Sequence, residues 1–113
     1  QKVKQVMEKT GFSVLSQTRI VTAVSELARN IVIHAGQGSM SVFKTERLRK
    51  KGIMCVFKDT GPGIANIDEA MREGFSTSNS LGLGLGGSKK LCHEFHIDSA
   101  PGKGTTITII EWL

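Results

Sequence analysis

Aromatic side chains are scarce in this chain: no tyrosine, one tryptophan and five phenylalanines among 113 residues. None is interleaved with the basic run between Lys44 and Lys51. Stacking platforms for single-stranded nucleic acid are therefore missing, and a nucleic-acid partner is not expected. Cysteine is nearly absent too. Cys55 and Cys92 make neither a disulfide framework nor a metal-ligand spacing, and read as two small buried hydrophobes of a reducing cytosol. No apolar run approaches a membrane span, and no apolar segment with a cleavage site marks a signal peptide. No membrane partner is expected, and the expected setting is cytoplasmic.

What the chain does contain is an ordinary globular composition, 39% hydrophobic and 22% charged. Its size suits one domain over residues 1–113 with a single core. Gln1 in place of an initiating Met implies a piece of a longer polypeptide. The net charge is +5, and part of the excess is local. Lys44, Arg47, Arg49, Lys50 and Lys51 stand against Glu46, a pattern that reads as a solvated hairpin loop or as a docking patch.

Periodicity orders the chain. Val3, Val6 and Met7 have helical spacing, and Gly11 stops that helix. Ile20, Val24, Leu27 and Ile31, with Val32 as a candidate fifth member of the stripe, predict a long helix from Ser16, as N-cap, to Ala35, with Gly36 and Gly38 ending it. Two strands follow, about 39–45 and 53–58, forming a hairpin through the basic loop. Asn66 to Glu73 reads as a short helix with Glu69 at the capping-box position, and Ser88 to Phe95 as another helix. A short strand over 97–100, a Pro101–Gly104 turn and a β-branched strand over 105–112 complete the chain. The order predicts a mostly antiparallel sheet with helices on one face.

Four polar or glycine-rich places interrupt this pattern. Glu26 and Asn30 are four apart, about 40° around a helix, so they stand one above the other beside the apolar stripe, with His34 next in the row. Asp59 ends an apolar strand and meets the turn Gly61-Pro62-Gly63. There a carboxylate can accept hydrogen bonds from a planar donor edge such as an adenine amino group, or simply cap the bend as an Asx-turn. Gly82-Leu83-Gly84-Leu85-Gly86 opens a helix and could present backbone N–H groups to polyphosphate, or be a plain surface loop. It is neither a P-loop nor a Rossmann turn, because the Gly-Lys-Ser/Thr ending and a preceding apolar strand are missing. Gly104-Thr105 precedes the last strand.

Each motif alone is loose, but the four in this order resemble the GHKL ATPase superfamily, with its N box, two glycine boxes and Bergerat nucleotide fold. The stretches Ser25–Asn30, Gly74–Ser78 and Gly104-Thr105 resemble the RsbT-type serine/threonine kinases of the bacterial stressosome. The resemblance implies an α/β (α+β) two-layer sandwich, a mostly antiparallel mixed sheet covered on one face by helices, with ATP held between helices and a lid. It implies that Asn30 holds Mg²⁺ and that Glu26 deprotonates an incoming serine or threonine hydroxyl. By the same resemblance Asp59 and Thr105 read adenine, and Gly61 and Gly63 let the backbone approach the base. Gly82, Leu83, Gly84, Leu85 and Gly86 then wrap phosphates, with Ser76, Thr77 and Ser78 in the lid. It further implies STAS-domain scaffold proteins as phosphoacceptors, and a downstream phosphatase or cyclase-like module as the switched output. Three departures stand out. Ser80 occupies the place where related anti-sigma kinases carry a lid arginine, and Gly87 follows Gly86 where a proline is common. The family's additional N-terminal strand is not in this sequence. The alternatives are an anti-sigma factor or ATP-gated adaptor without turnover, and a histidine-kinase catalytic domain. The last would need a phosphoacceptor helix pair that the chain does not contain, and His34, His93 and His96 read as ordinary surface or half-buried residues.

Overall fold

The computed structural model describes residues 2–64, 66–71 and 84–113. In chain order the elements are α1 (Lys2–Thr10), α2 (Val14–Ala35), β1 (Gly38–Arg47), β2 (Lys50–Asp59), α3 (Ile67–Ala70), α4 (Gly84–Lys90), β3 (Glu94–Ser99) and β4 (Thr105–Trp112). The strands form one sheet in the order β1-β2-β4-β3, and every pairing in it is antiparallel.

Alternation along β2 decides which face is covered. Ile53, Cys55 and Phe57 lie opposite Glu111, Ile109 and Ile107 of β4, so all six side chains project to one side. They are buried there against Val3 and Met7 of α1 and Ile20, Ala23, Val24 and Leu27 of α2. This is the two-layer body expected from the sequence. No helix of the described residues is long and apolar enough to cross a membrane.

Element boundaries depart from expectation in instructive ways. α2 starts at Val14, not Ser16: Ser13 takes extended backbone angles and its hydroxyl accepts the Ser16 N–H at 3.1 Å. The first turn was hidden because Val14 and Leu15 are exposed there and contribute nothing to the buried stripe. The basic segment is no loop: β1 and β2 run on to pair Arg47 with Lys50, leaving a two-residue turn at Leu48 and Arg49. Both turn residues have positive φ, 51° and 71°. A helix over 88–95 is also overturned. Leu91 and Phe95 have helical spacing, but Phe95 and Ile97 pair opposite Ile109 and Ile107 in the sheet, so strand β3 takes them. α4 lies earlier, over the glycine-rich stretch, with Gly84, Gly86 and Ser88 buried.

Among the described residues one carboxylate is fully buried on the covered face. Glu111 is 0% exposed; its Oε2 accepts from Arg19 at 2.6 Å and its Oε1 accepts the His93 N–H at 3.0 Å. Arg19 also donates to the Leu91 carbonyl at 3.0 Å, so α2, the end of α4 and β4 meet at one ion pair. Both thiols are pushed up to about 12, Cys55 by burial and Cys92 by burial and then by the Glu111 charge, so neither acts as a nucleophile near neutral pH. Arg19→Ala leaves the Glu111 charge without its cation. Urea unfolding should therefore show a loss of about 3 kcal/mol at unchanged m-value; a change below about 0.5 kcal/mol would show that the pair carries little.

Candidate functional site

The site begins with the β2–β4 register. Asp59 lies opposite Thr105, one step beyond the Phe57–Ile107 pair, so both polar side chains project to the face under α2 where the apolar core stops. The turn after Asp59 is shaped by close approach. Its Oδ1 accepts the Gly61 N–H at 2.9 Å, and a Cβ on Gly61 would lie 2.6 Å from that of Ala35. Gly63 has φ +77°, and a side chain there would run into the Ala100 carbonyl. Gly104, φ +73°, is pressed against the Asp59 carbonyl in the same way. Asp59 therefore does serve as an Asx-type cap, and its other oxygen is left for a further donor.

Ser99 ties the strand ends together. Its hydroxyl accepts the Ile64 N–H, donates to the Gly104 carbonyl and meets Thr105 Oγ1, each at 2.9 Å. The Gly102 N–H donates to the Pro62 carbonyl at 2.8 Å. The glycine turn is thus locked to the β3–β4 turn, and Thr105 Oγ1 is held beside Asp59.

Between this floor, the C-terminal half of α2 and the start of α4 lies a cavity of about 430 Å³. Its apolar walls include Ile31, Phe57, Ile64, Leu85 and Ile107; its polar groups are Asn30, His34, Asp59, Asn66, Glu69 and Thr105. A mostly apolar slot with a few convergent polar groups suits a flat heterocycle carrying a polar edge. Among the described residues none donates to or accepts from the Asn30 carboxamide. Its oxygen is therefore available to a ligand or cation. No group of three His, Cys, Asp or Glu that could hold a metal occurs among the described residues. A cation here would be hard, weakly held by protein and largely hydrated, which fits one amide oxygen beside a phosphate chain.

Of the residues singled out from sequence, Asn30, Asp59, Gly63, Gly84, Leu85 and Thr105 line this one cavity. Gly61 supports its floor through Asp59. Gly86 is buried inside α4 and does not line the wall. Glu26 sits one turn before Asn30, half-buried, with Arg29 at 4.0 Å, and is not part of the wall either. Ser76, Thr77, Ser78, Gly82 and Leu83 lie outside the described residues. Sequence reasoning missed Ser99, whose role depends on long-range hydrogen bonds. His34, placed by its spacing next in the Asn30 row, is exposed and borders the cavity.

A helix carrying Asn30 above a strand-end Asp59, beside a glycine-shaped turn, defines a class. Residues 15–112 match the family described as histidine kinase-, DNA gyrase B-, and HSP90-like ATPase, and the chain belongs to that family. It is 46% identical over 110 residues to the serine/threonine-protein kinase RsbT of Bacillus subtilis, covering 97% of this chain and 83% of that protein. It is 34% identical over 103 residues to an anti-sigma F factor of Bacillus licheniformis, covering 85% of this chain and 69% of the relative. The solved structure of a mycobacterial sensor histidine kinase, MprB, shares the fold with a TM-score of 0.64 at 21% identity, over 85% of this chain and 71% of that one.

Gly63→Ala should be far more damaging than an average loop substitution. It combines a disfavoured φ with a carbonyl collision, so thermal unfolding should show a loss of about 2 kcal/mol or more. Gly102→Ala is the control, since a Cβ there meets nothing within 4 Å and only the φ penalty remains. Equal effects from the two would mean that the Ala100 contact is unimportant.

Proposed function

We propose that the chain is a cytoplasmic, MgATP-dependent serine/threonine protein kinase that phosphorylates STAS-domain scaffold proteins and acts as a partner switch. The observation that carries this reading is the shared cavity: Asn30 on α2 faces the same space as the Asp59–Thr105 pair at the sheet end. The 46% identity to a serine/threonine-protein kinase supports it independently of the geometry.

In this reading the free Asp59 oxygen accepts the adenine amino group, and Thr105, held by Ser99, supports the same edge. Phe57, Ile107 and Ile31 provide the apolar surface around the base. The phosphates run toward Asn30 and the start of α4, where Gly84 and Leu85 bring backbone close. Asn30 is the residue that would hold Mg²⁺, whose chemistry is to neutralise phosphate charge. Glu26, one helical turn back, receives the proton of the substrate hydroxyl, and Arg29 at 4.0 Å is a neighbouring cation. Catalysis of this type is mainly positioning and charge neutralisation. With Ser80 in place of a lid arginine, cationic help must come from elsewhere. Arg29, beside Asn30 in sequence, and Lys89 and Lys90 in the last turn of α4 are candidates among the described residues.

The likeness to anti-sigma F factors favours a second reading, an ATP-gated adaptor that binds its partner without significant turnover. Transfer of labelled phosphate from ATP to a purified STAS protein separates the two. The kinase reading expects Glu26→Ala to reduce transfer by about 10²–10⁴-fold while ATP affinity stays within about threefold. Asn30→Ala should weaken both transfer and magnesium-dependent ATP binding. No transfer by the unmodified chain favours the adaptor, and transfer indifferent to both substitutions removes the assigned roles.

A further inference from the structure

The β1–β2 hairpin ends in a turn whose sequence is poorly suited to it. A two-residue turn with positive φ at both positions favours Asn-Gly or Asp-Gly, because other residues crowd the backbone there. This chain has Leu48 and Arg49, at φ 51° and 71°. Leu48 is 94% exposed, so no packing inside the molecule compensates for the strain. Strain kept at an exposed position, with nothing gained within the fold, points to a role outside it.

The charges around the tip are equally unbalanced. Arg47 is engaged: it bonds Glu94 at 2.9 Å and lies 4.9 Å over the Trp112 ring, whose Nε1 donates to Glu94 at 2.6 Å. This brace ties the end of β1 to β3 and β4. Among the described residues no carboxylate lies within 4.0 Å of Lys9, Lys44, Arg49, Lys50 or Lys51. Lys9, Thr10, Lys44, Glu46 and Lys51 line a groove of about 380 Å³ between the end of α1 and the hairpin. By strand alternation Lys44 and Lys51 share the groove face with Lys9 and Glu46, while Lys50 projects to the other face of the hairpin beside Arg47; with Arg49 and the exposed Leu48 at the turn, they make a cationic tip open to a partner that wraps its end.

We propose that this surface docks an acidic protein segment that carries an apolar side chain for contact with Leu48. Nucleic acid fits less well, because the Trp112 face is already covered by Arg47 and Glu46 stands in the groove wall. An anionic membrane would need more inserted apolar area than one leucine supplies. The register places the tip, at Arg47 and Lys50, at the opposite end of the hairpin from Gly38 and Asp59. Ten residues of strand separate them, roughly 30 Å at the usual rise. The docked segment therefore leaves the nucleotide cavity open, and the proposal does not rest on the kinase reading.

The test uses the whole chain and a short fluorescent peptide of Glu and Asp with one central Leu, titrated at physiological salt. Lys50→Glu with Lys51→Glu should weaken binding at least about tenfold. Leu48→Asn with Arg49→Gly should raise the melting temperature by relieving the turn, yet weaken binding several-fold, as should replacing the peptide's Leu by Ser. ATP affinity should be the same in every variant. The proposal is overturned if the peptide does not bind, if either variant binds as well as the unmodified chain, or if a single-stranded oligonucleotide of equal charge or phosphatidylserine vesicles bind more tightly than the peptide.

Discussion

The antiparallel register between β2 and β4 is the constraint on which the rest of the site depends. It sets Asp59 opposite Thr105 and Phe57 opposite Ile107, so the polar edge and apolar floor of the cavity are neighbours on one face. A slip of one residue would turn all four side chains to the other face and empty the site at once. The register is well protected. Ile53, Cys55 and Ile109 are each no more than 1% exposed in the core, while Gly104 and Gly63 admit no side chain where the strand ends and turns meet.

α2 converts that strand end into a cavity. Its buried row, Ile20, Val24 and Leu27, seats it on the sheet, and its last turns carry Asn30, His34 and Ala35 over the Asp59 floor. The Arg19–Glu111 pair fixes the other end of the same helix and ties in the last residues of α4. One helix thus has two roles: its buried row seats it on the sheet, and its last turns line the cavity.

Much of this was legible from side-chain order alone. The long helix, its glycine stop, the two central strands and the places of Asn30 and Asp59, which the fold brings to one cavity, follow from periodicity and breakers, which are local properties. Three things were not legible, each for a physical reason. The Ser13 cap was masked because Val14 and Leu15 are apolar yet exposed. β3 was misread because pairing with Ile107 and Ile109 outweighs a helical spacing of Leu91 and Phe95. Ser99 has no local signature at all; its importance arises from contacts with Ile64, Gly104 and Thr105 that only the folded turn creates. The hairpin was half legible: its charge was evident, but not that the basic residues sit on paired strands around a strained two-residue turn.

The central claim is that α2, the Asp59 turn, the start of α4 and the start of β4 enclose one nucleotide. Amide chemical-shift mapping on addition of MgADP tests it most directly. The account predicts large shifts clustered at Asn30, Gly61, Gly63, Gly84 and Thr105, with the hairpin from Lys44 to Lys51 unmoved. Shifts centred on the hairpin, or confined to only one of those four segments, would contradict it.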